Sequence, residues 1–192
     1  MPEKEKKPGL PKFIVLEGPS GSGKTTFLNQ FLRLYEHKSR HPLPDTGYIT
    51  THFGRAPGET VDDVYENYVR IVEFMRGAPL ILDRWALSNL IYGHHLGNQT
   101  PLDSNRFADL SKAVVKWYGD SHAMLIFDCF VPKLRERNEG RGKDAFMKTL
   151  GPVIMSFRES ARMGWLNPHL LDTTHRGPLA TFERGMQLLE TK

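Results

Sequence analysis

Gly18, Pro19, Ser20, Gly21, Ser22, Gly23, Lys24 and Thr25 carry the spacing G-x-x-x-x-G-K-T, the pattern of a loop that wraps a phosphate. Glycines let successive backbone N–H groups turn inward, and a helix that follows adds the positive end of its dipole. In that geometry Lys24 reaches the β- and γ-phosphates of a nucleoside triphosphate, and the Thr25 hydroxyl holds magnesium. Thr26 closes the nucleotide-binding stretch, and the cofactors this chemistry implies are ATP and Mg2+. The context agrees with the pattern. The apolar run 13–16 reads as a buried strand, and the residues from Thr26 onward have apolar positions at helical spacing. A flexible Gly/Ser turn does not explain Lys24 and Thr25 at a helix start.

Two further clusters have the right chemistry to work with such a loop. Asp83 and Arg84 follow an apolar run, 80–82, and a carboxylate at the end of a neighbouring strand is where a second magnesium-organising group belongs. The planar guanidinium of Arg84 suits bidentate phosphate binding. The plain alternative is a surface ion pair of little energetic weight. Downstream, Lys133, Arg135, Arg137, Arg141 and Lys143 are interleaved with Gly140 and Gly142. Such a run is commonly a solvated helix end. Because the octet contains no arginine, and phosphoryl transfer depends on charge stabilisation, the preferred reading is a lid whose arginines close over a polyphosphate.

The elements that must position these groups follow from hydrophobic patterning. Five short apolar runs, 13–16, 48–53, 80–82, 123–127 and 169–171, alternate with helical patterns starting after Lys24 and near Val61, Leu87, Asp103, Pro132, Ala145 and Pro178. That alternation predicts an α/β fold, a five-stranded parallel sheet with helices on both faces. Asp62, Asp103 and Thr181 are expected to cap or charge helix starts. The 192 residues are expected to form a disordered basic tail over 1–11 and a single domain over 12–192. A net charge of +4 and a pI near 9.2 suit anionic substrates but fall short of a dedicated nucleic-acid stripe. No apolar run is long enough to span a bilayer, so no membrane partner is expected. The lone Cys129 excludes an internal disulfide and fits a reducing, cytoplasmic setting, where it reads as a buried, inert thiol. His94 and His95 lack partners at metal-binding spacing.

Taken together, the residues from about 13 to about 174 resemble the thymidylate kinase family, especially its compact members encoded by bacterial viruses. The P-loop matches. Arg55, Ala56, Pro57, Gly58, Glu59 and Thr60 resemble the family's Arg-Glu-Pro-Gly-Gly-Thr acceptor loop. Asp83, Arg84 and Trp85, with Ser88 and Tyr92 after them, are similar to its Asp-Arg-Tyr segment. The resemblance implies that Arg84 and Arg55 bind the acceptor's phosphate and that Tyr92 lies against its sugar. Leu134 to Arg137, Arg141, Asp144 and Phe146 resemble the lid, and Leu170, Leu171 and Asp172 the last strand, which leads to the adenine loop. The implied fold is that of a P-loop nucleoside monophosphate kinase with an arginine-containing lid. Two departures stand out: Ser20 where the family usually has an aspartate facing the 3′-hydroxyl of free thymidylate, and Ala145 where the lid usually has an arginine. Tyr65 and Tyr68 lie on one helical face, open to either base stacking or core packing.

The expected activity is therefore ATP-dependent phosphotransfer to a thymidine-like acceptor. One acceptor is the base hydroxyl of 5-hydroxymethyluracil within DNA, a step of base hypermodification that a branch of the family performs; a polymer has no free 3′-hydroxyl for an aspartate to meet, so Ser20 leans the reading this way. The other is free dTMP, converted to dTDP. A P-loop ATPase or switch is a remote third. Partners are thus a nucleotide or hydroxymethyluracil-containing DNA, with a homodimer left open, and the setting is the cytoplasm, the host's if the chain is viral.

Overall fold

The computed structural model describes residues 9–36, 48–52, 59–96, 102–139 and 144–190. In chain order these form β1 (Phe13–Glu17), α1 (Lys24–Glu36), β2 (Ile49–His52), α2 (Val61–Met75), β3 (Leu80–Asp83) and α3 (Ala86–Leu96). They continue with α4 (Ser104–Tyr118), β4 (His122–Asp128), α5 (Val131–Asn138), α6 (Asp144–Arg162), β5 (Pro168–Asp172) and α7 (Pro178–Glu190). The strands are all parallel in the order β2-β3-β1-β4-β5. The α/β fold read from the sequence is the fold observed, and each of the five strands lies within a residue or two of its expected run. Pro8 and the residues before it, and Phe53 at the end of the second run, lie outside the described residues.

Because β1 is central, both of its faces must be covered, and all five of its residues are buried. Side chains alternate between faces at a period of two. Phe13 and Val15 join Leu80 and Leu82 in a core built with α2, α3, α4 and α6. Ile14 and Leu16 join Ile81 in a second core under α1 and α7. Leu10 packs on that second core, and the Pro11 carbonyl accepts from the Tyr48 hydroxyl at 2.6 Å. These two residues of the tail expected over 1–11 thus belong to the folded body.

Local signals explain the helix ends. Thr60 caps α2 in a capping box with Asp63, so Asp62 contributes charge to the first turn rather than the cap. Asp103 caps α4 through the Arg106 N–H. Thr181 corrects the expectation of a third cap: it lies inside α7, its N–H bonded to the Gly177 carbonyl, and it is buried. Tyr68 is buried edge-on to Trp85, a core role rather than a stacking platform. Tyr65 is half-buried beneath the Arg106 guanidinium. Among the described residues no helix is long and apolar enough to cross a membrane.

The position of α1, which carries Lys24 and Thr25, is set by its packing against α7. Gly185 permits that approach: a Cβ there would lie 2.4 Å from the ring of Phe27. Phe27 cannot swing aside easily, since it is wedged among Phe31, Phe127 and Phe182. Gly185→Ala gains helix propensity of about 0.5–1 kcal/mol, and overpacking costs about 1–3 kcal/mol. The expected net result is a loss of about 1 kcal/mol in urea unfolding. A raised midpoint would show that Phe27 yields and that this contact does not fix α1.

Candidate active site

The loop between β1 and α1 is folded tightly against β4. Gly18 has φ +130°, and a Cβ there would meet the Phe127 carbonyl oxygen at 2.4 Å, so no other residue fits. Lys24 turns back into the loop, its Nζ donating to the Gly18 and Pro19 carbonyls at 2.8 Å each and to Ser22 Oγ at 3.3 Å. Burial, helped by the nearby Arg84 charge, pulls its pKa well below the usual lysine value, while Asp83 and Glu17 oppose that shift. The Thr25 hydroxyl donates to Asp83 Oδ2 at 3.2 Å. A hydroxyl and a carboxylate side by side at the end of a phosphate loop are the hard oxygen donors that suit magnesium, with waters and phosphate oxygens completing its shell. The residues present therefore fit the metal, and among the described residues no cluster of three His, Cys, Asp or Glu offers another site.

Strand alternation divides the charges. Asp83 shares the face of Ile81, toward α1, whereas Glu17 shares the face of Val15, toward α3. Arg84 follows β3 with φ +73°, a left-handed conformation that is strained for a side chain of this size and is a common device at binding sites. Its Nη1 donates to the Gly18 carbonyl at 3.2 Å and to Ser88 Oγ at 3.1 Å, and its guanidinium stacks 5.1 Å from the centre of the Tyr92 ring. The Tyr92 hydroxyl in turn accepts from the Ser20 N–H at 3.1 Å. Burial works against the Arg84 charge, but Tyr92, Glu17 and Asp83 hold it, and its pKa moves up on balance. The Ser20 backbone is thus tied to the hydroxyl of the same ring on which Arg84 stacks.

Glu17 was not singled out by the sequence. It is fully buried, accepts from the Trp85 and Ser88 N–H groups at 2.8 and 3.2 Å, and takes a short hydrogen bond from the Ser88 hydroxyl. Burial raises its pKa to about 7, with Ser88 and Arg84 pulling the other way. One signal was present: a carboxylate closing an otherwise wholly apolar central strand.

The far wall comes from α5 and the turn after β5. Arg137 Nη2 donates to the Thr173 carbonyl at 2.9 Å, and its Nη1 lies 3.4 Å from the Gly21 carbonyl. The Thr173 hydroxyl contacts the Ser22 carbonyl at 3.0 Å, and Asn138 Nδ2 donates to the Ser20 carbonyl at 3.0 Å. A cleft of about 690 Å³ results, bringing together residues 20–26, Asp83, Arg84 and Arg137. Thr173, Arg176, Pro178 and Thr181 also line it; the resemblance placed a loop here, after Asp172, without naming these residues. Gly18 and Pro19 do not line it but hold Lys24, which does, through their carbonyls. Arg55 and Arg141 lie outside the described residues. Cys129 is buried beside Arg137, and His95 bonds to Ser156 well away from the cleft.

The sequence matches no protein-family model and no curated protein. Solved structures do resemble it. The YorR protein from Bacillus subtilis, in complex with phosphorylated GDP, aligns over 93% of this chain and 95% of its own with a TM-score of 0.71 and 16% identity. Thymidylate kinase from Candida albicans aligns over 96% and 92% with a TM-score of 0.63 and 13% identity. Thymidylate kinase from Ehrlichia chaffeensis aligns over 92% and 97% with a TM-score of 0.59 and 17% identity. At these identities the likeness is one of fold, and the fold is that of the P-loop kinases.

Glu17 makes stability depend on pH. Its folded-state pKa is raised, so the folded chain keeps a proton that the unfolded chain has released; stability is fully present below about pH 4.5 and is lost as pH rises through about 7. The loss amounts to about 3 kcal/mol. Glu17→Gln, which keeps the shape and the acceptor oxygen, is expected to remove this slope. Parallel urea-unfolding profiles for the two proteins between those pH values would refute the burial argument.

Proposed function

We propose that the chain transfers the γ-phosphate of magnesium-bound ATP to a thymidine-like acceptor, with Lys24 on the donor and Arg84 on the acceptor's phosphate. The observation that carries this reading is the Gly18 carbonyl oxygen, which accepts from both Lys24 Nζ and Arg84 Nη1. Two anion-binding cations meeting at one atom is what in-line transfer between two bound phosphates needs, since the reaction rests on alignment and charge stabilisation. Thr25 and Asp83 would hold magnesium, and Arg137, released from the Thr173 and Gly21 carbonyls, would stabilise the transferring group together with Arg141. Arg55 and Tyr92 would complete the acceptor site.

Free dTMP is one acceptor, its phosphate monoester meeting Arg84 where that side chain lines the cleft. The base hydroxyl of 5-hydroxymethyluracil in DNA is the second reading, favoured by Ser20: the loop residue bonded to Tyr92 carries no charge that would repel a 3′-phosphate. In that case the base must leave the stack to reach the cleft.

Incubation with terminally labelled ATP and magnesium separates the two. Label in dTDP alone supports the monophosphate kinase; label in hydroxymethyluracil-containing DNA alone supports the polymer; ATP splitting at the same rate without either supports a switch. Lys24→Ala is expected to lower transfer by at least about a hundredfold. Arg84→Ala is expected to raise the acceptor KM by at least about tenfold while leaving the ATP KM near its original value. Acceptor kinetics unchanged by the second substitution would remove Arg84 from the acceptor site.

A further inference from the structure

The cleft's acceptor cation has a hidden partner. Arg84 Nη1 donates to Ser88 Oγ at 3.1 Å, and the same hydroxyl donates to Glu17. Glu17 has no exposed surface, so it meets an acceptor only through this hydroxyl. It is also held by two backbone N–H groups, those of Trp85 and Ser88, which fix its distance from the guanidinium.

We propose that Glu17 is a positioning residue that sets how strongly Arg84 binds an acceptor anion: with its proton on, it leaves the guanidinium charge free for the anion, and ionised, it competes for that charge through Ser88. The inference rests on Arg84 being the acceptor's clamp, as argued above. It concerns a second function of the carboxylate, beyond its effect on stability.

The surroundings decide which group can titrate. From the turn after β3, Arg84 faces Glu17; from α3, Ser88 and Tyr92; from α1, Lys24; from α2, Tyr68. Asp83 acts on Arg84 and Lys24 from the opposite face of the sheet. Burial raises both tyrosines, which keeps them neutral through the neutral range. Arg84 keeps its charge. Glu17 therefore changes charge near neutrality, its burial having raised it there. Lys24, drawn downward by burial, faces the donor. Donor affinity is thus the control for acceptor affinity. At the spacing of one intervening hydroxyl, a negative charge near the clamp weakens anion binding by about tenfold.

Sulfate serves as the probe because its charge stays constant across this range. Its binding is measured by calorimetry on the full chain loaded with magnesium and a non-hydrolysable ATP analogue, which fills the donor loop. The dissociation constant of the wild type is expected to rise by about tenfold between about pH 6 and about pH 8.5, and that of Glu17→Gln to stay flat. The affinity for the ATP analogue is expected to show no such difference between the two proteins. Equal slopes for sulfate in both proteins overturn the inference, and so does a difference confined to the ATP analogue, which would assign the effect to Lys24. Arg84→Ala is expected to abolish the sulfate binding. If it does so while the slopes are equal, the clamp stands and only the role of Glu17 falls; if sulfate binds equally well without Arg84, both fall. Should Glu17→Gln not fold, linkage supplies the same test in the wild type. Saturating sulfate is expected to raise the Glu17 carboxyl midpoint, followed by its 13C resonance, by about one pH unit. A stationary midpoint overturns the inference.

Discussion

Two cations, Lys24 and Arg84, converge on the carbonyl oxygen of Gly18, and the cleft is organised around the cost of holding them there. Like charges at this separation repel, and burial makes the repulsion worse. The chain offsets it with two carboxylates, Asp83 and Glu17, placed on opposite faces of the same sheet. The polyphosphate and acceptor anions for which the site is proposed would complete the balance. A site that is strained in charge before it is filled is one whose ligands are bound for electrostatic reasons first.

Register is what makes the arrangement possible. β1 and β3 pair with Leu16 opposite Asp83, so the next residue along each chain, Glu17 and Arg84, emerges at the same sheet edge. The left-handed turn at Arg84 then carries the chain back across that edge, where the Trp85 N–H finds Glu17 and α3 can begin at once. Trp85 is buried among Phe13, Tyr68 and Phe107. The aromatic core thus anchors the strained turn, and the backbone strain is held in place by packing rather than by the charges.

Around the glycine-rich loop the fixing groups are polar. Thr173 bonds to the Ser22 carbonyl, Asn138 to the Ser20 carbonyl and Arg137 to the Thr173 carbonyl, so α5 and the turn after β5 both brace the phosphate loop. These contacts use the loop's carbonyl groups; of its N–H groups, that of Ser20 goes to the Tyr92 hydroxyl and that of Ser22 to the Pro19 carbonyl.

The amino-acid sequence by itself determined the phosphate loop, the five-stranded parallel sheet and the pairing of Thr25 with Asp83, because each depends on contiguous signals: glycine spacing, hydrophobic period and the end of an apolar run. It also marked Arg84, since its neighbour Asp83 announced the strand end. It left Tyr68 undecided between ligand and core, and it assigned Thr181 to a cap, because one helical face does not reveal what it packs against. Glu17, Asn138 and Thr173 belong to the site through partners far away in the chain, and Arg176 through the cleft it lines; only the tertiary structure decided them. Their side chains have no chemistry until strand register and helix packing bring them to the carbonyls and cations they serve.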